Sequence, residues 1–142
     1  MKFEFFGSHQ TDIDLEATQA WYAQADDWDC ECGDCLNFLK LARERKLPAP
    51  VLEILDKLGI PPEKATYVCE MWPTECGHCY DFSYRLAGNI LSGDETGSVS
   101  WAGGSAWCYH ESYPYGAPDF PEPHFDLGFY FTLPWALDEP RE

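Results

Sequence analysis

From Phe125 to Leu133 the chain alternates without a break. Phe125, Leu127, Phe129, Phe131 and Leu133 fall on one face, and His124, Asp126, Gly128, Tyr130 and Thr132 on the other. A period of two puts successive side chains on opposite sides of a strand. Five apolar side chains on one side need a core to cover them, so this segment predicts a strand built into a sheet. Tyr80, Phe82, Tyr84 and Leu86 alternate with Asp81, Ser83 and Arg85 in the same way and predict a half-buried strand. Thr66 to Trp72 is rich in β-formers, with Pro73 to His78 expected as the hairpin loop between the two runs. Lys2 to Phe6 and Ala106 to Glu111 read as shorter strands. Ser92 to Ser105, rich in Gly and Ser, reads as a mobile loop.

The first half of the chain has a helical period instead. Residues 14–25 have helix-favouring composition, although Ile13 to Ala17 also fits a strand. Cys35, Phe38, Leu39 and Ala42 stand at i, i+3, i+4 and i+7, with Asp34 the expected N-cap and Pro48 the stop. Val51, Ile54, Leu55 and Leu58 form a second stripe, with Pro50 in the first turn and Gly59 at the C-cap. Helices early and strands late predict one α+β domain over residues 1–142. The expectation is an antiparallel sheet of about four to six strands with two or three helices on one face.

The net charge of −16 is carried by the ends. Residues 1–35 hold nine acids against one base and residues 94–142 again nine against one, while residues 36–93 balance. Such a field repels nucleic acids and anionic membranes and attracts cations or a basic protein partner. No apolar run of signal or membrane-span length is visible, so the expected compartment is the cytoplasm.

Seven cysteines is an odd number, and three of them crowd into Cys30-Glu31-Cys32-Gly33-Asp34-Cys35. In a reducing compartment this spacing points to metal binding or free thiols before disulfides. Three readings stand side by side. In the first, Cys30, Cys32 and Cys35 supply three ligands of a structural zinc ion, with Cys79 or Cys76 as the fourth and His78 a less favoured substitute. In the second, Cys32–Cys35 or Cys76–Cys79 is a C-x-x-C pair for thiol–disulfide exchange. Asp26, Asp27, Asp29, Glu31 and Asp34 oppose this by disfavouring a thiolate. In the third, the cysteines simply pack as small hydrophobes, as expected for Cys69 and Cys108 within strands.

The chain has no HExxH pair, nucleophile elbow or phosphate loop. Cys108 and His110 would share a face of one strand, which is thin support for a catalytic pair. A non-enzymatic binding protein is therefore the leading expectation, with a thiol–disulfide oxidoreductase as the alternative. Glu4-Phe5-Phe6-Gly7, Trp28-Asp29-Cys30-Glu31-Cys32 through Cys35-Leu36-Asn37-Phe38, Leu58-Gly59-Ile60 and Leu133-Pro134-Trp135-Ala136-Leu137 together resemble a family of short uncharacterised bacterial proteins. That resemblance implies no activity and brings no catalytic residues with it.

Overall fold

The computed structural model describes residues 1–75, 77–93, 98–110 and 117–137. The fold is α+β, with all three described α-helices before residue 59. The strands are β1 (Lys2–Phe5), β2 (His9–Ile13), β3 (Tyr67–Thr74), β4 (Gly77–Ser92), β5 (Val99–Trp101), β6 (Gly104–Tyr109) and β7 (His124–Leu133). The helices are α1 (Leu15–Gln24), α2 (Gly33–Arg43) and α3 (Ala49–Leu58).

All pairings are antiparallel, in the order β1-β2-β4-β7-β6-β5, with β3 also paired to β4. The 16 residues of β4 make it the spine. Its first half carries β3, its last residues carry β2, and β7 runs beside it from His78 to Ala87. The sheet curls until its ends meet: Phe6, just after β1, lies 5.0 Å from Trp101 of β5, ring to ring. Phe6 also reaches Phe129. The face bearing Phe129 is therefore the inside of the curl.

That inside is the core. Tyr80, Phe82, Tyr84 and Leu86 of β4 stand opposite Phe131, Phe129, Leu127 and Phe125 of β7. All eight are buried. Each such large side chain contributes about 1.5–3 kcal/mol on burial. Phe38 of α2 packs on Phe82 at 5.1 Å. Tyr22 of α1 is buried and donates to the Arg85 carbonyl at 2.8 Å. Val51, Leu55 and Leu58 of α3 are fully buried, and Gly59 ends that helix in the left-handed region at φ 73°.

Four readings change. Seven strands are described, because β2 and β5 had no visible period. The β3–β4 hairpin is tighter than Pro73 to His78, since Thr74 already pairs with Gly77. Proline is tolerated at position 73 because β3 is an edge strand. The Ser92 to Ser105 stretch holds β5 and the start of β6, while residues 94–97 lie outside the described set. β4 is buried on both faces rather than one: Ser83 and Arg85 on the outer face are as hidden as Phe82.

Candidate metal centre

Two short structures position the cysteines. The first is the link between α1 and α2. Its anchor is Trp28, whose backbone N–H donates to the Glu63 carbonyl at 3.0 Å and whose ring meets Tyr67 of β3. Arg43 of α2 also ties Asp27 of this link, 2.9 Å from Nη2 to Oδ2. The second is the first turn of α2. Its docking is fixed by Tyr80, whose hydroxyl donates to the Asp34 carbonyl at 2.7 Å. Asn37 helps from the next turn, donating to the Pro134 carbonyl at 3.1 Å.

Cys30 and Cys32 come from the link and Cys35 from the helix, and their three sulfurs all lie within 4.8 Å of one another. Cys30 Sγ and Cys32 Sγ are 3.5 Å apart. A disulfide would need about 2.05 Å. Sulfurs sharing a tetrahedral zinc at about 2.3 Å are about 3.8 Å apart. The spacing is compatible with ligands around a common centre, and the group could hold a metal ion.

Each sulfur also receives an N–H. Asp34 was the expected cap of α2, but Cys32 holds that position, and its Sγ accepts from the Cys35 backbone N–H at 3.4 Å. The reason is geometric: Cys32 has the extended backbone of a cap, whereas Asp34 is already inside the helix. The Trp28 indole N–H donates to Cys35 Sγ at 3.2 Å. The Cys32 backbone N–H donates to Cys30, and this is the main reason the Cys30 thiol is held below its ordinary range. Asp29 pushes the other way, as the acidic surroundings suggested, but by less. Burial pushes the Cys35 thiol up. Donors aimed at sulfur stabilise negative charge there. Trp28 is the contributor that sequence reasoning missed. Its only trace is its place two residues before Cys30.

Cys79 is not part of this sulfur group. Its neighbour Tyr80 points inward to α2, so Cys79 faces the outside of the sheet, with Sγ 3.4 Å from Thr132 Oγ1. Cys76 lies outside the described residues. His78 does face α2, but it stacks on Trp135 with centroids 4.9 Å apart and lies 3.7 Å from Glu70 Oε1. Cys108 is fully buried on the inner face, whereas His110 is exposed beyond the end of β6, so the two form no pair. No helix among the described residues is long and apolar enough to cross a membrane. No protein-family model, curated protein or solved structure matches the chain. The site is therefore read from its own chemistry.

Proposed function

We propose that this is a small acidic binding protein whose fold is tied together by a structural zinc ion on Cys30, Cys32 and Cys35. The observation that carries the reading is the set of three clustered sulfurs, each accepting an N–H. Thiolates favour zinc among the common divalent ions of cells. The ion clamps the link between α1 and α2 to the start of α2, and binding free energy becomes folding free energy. The net charge of −16 suits a basic protein partner.

Thiol–disulfide exchange through the Cys32–Cys35 pair is the competing use of the same sulfurs, opposed by the burial that pushes the Cys35 thiol up. One experiment separates the two. Native protein is titrated with a thiol reagent before and after a strong zinc chelator. A zinc centre protects three thiols until the chelator is added. An exchange site reacts at once and ignores the chelator.

A further inference from the structure

The outer face of the sheet holds a carboxylate that the fold does not use. Asp81 sits at the middle of the sheet on β4, directly opposite Cys69 of β3 and Tyr130 of β7. It is partly buried, and among the described residues it has no hydrogen bond and no ion pair. Its neighbour on the same face, Arg85, is committed elsewhere, with Nε 3.2 Å from Asp126 Oδ1. A half-buried carboxylate that no group of the fold pairs with stays open to a cation from outside.

The register surrounds it with rings. Tyr67 lies two residues from Cys69, Tyr130 lies directly across, and Trp107 and Tyr109 follow on β6. Gly128 leaves room for this layer: a Cβ there would collide with the Trp107 indole. A bulge in β3 adds one more ring. Glu70 pairs with Tyr80 and Trp72 pairs with Cys79, so the extra residue Met71 turns Trp72 onto the outer face, where it meets Tyr130 at 6.0 Å. Trp72 is 51% exposed and Met71 45%. Aromatic faces beside a carboxylate form the chemistry that recognises an organic ammonium group.

We propose that this face receives a lysine side chain of a basic partner protein. The occupant follows from shape and charge. The outside of a curled sheet does not enclose a small molecule, and large exposed apolar side chains at its rim suit a protein contact. The ammonium meets the Asp81 carboxylate, and the lysine stem lies along Tyr130 and Trp72. This deepens the binding-protein reading and is independent of the zinc ion.

The test titrates a pentalysine peptide into the purified protein at low salt by calorimetry. Asp81→Asn should weaken binding by about tenfold or more, the range of a charge-assisted hydrogen bond. Tyr130→Leu should weaken it by about threefold. Glu53→Gln, which removes one exposed charge from α3, should change it by less than about twofold. Equal losses for Asp81→Asn and Glu53→Gln would overturn the site while leaving a general attraction to basic partners intact. No binding of the peptide by the parent protein would overturn both. Butylammonium binding as tightly as the peptide would assign the face to small amines and overturn the protein partner.

Discussion

Trp28 donates its indole N–H to Cys35 Sγ at 3.2 Å. This bond links the anchor of the α1–α2 link to the most buried of the three clustered sulfurs. It puts the indole in direct contact with the sulfur cluster. Trp28→Phe keeps most of the ring contact with Tyr67 and removes only the donor. Zinc affinity, measured by competition with a chromophoric chelator, should fall about tenfold or more, as when a hydrogen bond to a metal ligand is removed. An unchanged affinity would show that the bond to sulfur has no role in holding an ion.

Cys79→Ser should leave the metal stoichiometry as it was, because Cys79 faces Thr132 on the far side of the sheet. Cys32→Ser should abolish the thiolate-to-metal charge-transfer band of the cobalt-substituted protein. A lost band in the Cys79 variant would place that residue among the ligands.

Arg85 and Asp126 form an ion pair that is 5% and 2% exposed. Removing one member leaves the buried charge of the other without this pair. Arg85→Met alone should destabilise the fold by about 3–5 kcal/mol in urea unfolding. Pairing it with Asp126→Leu should recover a large part of that loss. Losses that add in the double variant would mean the two residues act separately.

Asp81 gives a pH signature. Burial pushes its carboxyl from 3.8 up to about 6. The groups that share its face are Tyr67 and Cys69 from β3, Cys79 and Arg85 from β4, His124, Asp126 and Tyr130 from β7, and Tyr109 from β6. Between these two pH values the folded chain binds more protons at this position than the unfolded one. Its contribution to stability therefore falls as pH rises from 3.8 to about 6 and stays low above that. Asp81→Asn should then be more stable than the parent at pH 7, by about 1 kcal/mol once solvent screening is allowed for. The two should converge below the unfolded value. A variant that gains stability while losing its cation is what a binding carboxylate predicts, and a loss of stability at pH 7 would contradict it.

The sheet was legible where apolar side chains alone face the core. The five from Phe125 to Leu133 and the four from Tyr80 to Leu86 are all buried, as their period required. β2 was not legible because its buried residues include His9 and Thr11, which are polar. Their burial depends on bonds a sequence does not display: Thr11 Oγ1 to the Phe3 carbonyl at 2.9 Å, and His9 Nδ1 to Ser8 Oγ at 2.8 Å. β5 is three residues long, too short for any period. The outer face of β4 read as solvent-facing because alternation reports the number of faces, not what covers them. At the cysteines, spacing brought Cys30, Cys32 and Cys35 together correctly. It could not tell that the next C-x-x-C pair leaves Cys79 on the opposite side of the sheet, since that depends on the parity of Tyr80. The role of Trp28 is set by Glu63 and Tyr67, more than thirty residues away in the chain.

Protein purified in zinc-containing, chelator-free buffer is exchanged into metal-free buffer, and its zinc is measured against protein concentration. A structural zinc site gives about one equivalent, lost in Cys32→Ser and retained in Cys79→Ser. Well under one equivalent in the parent protein, with the thiols of Cys30, Cys32 and Cys35 all freely reactive in the folded state, would contradict it.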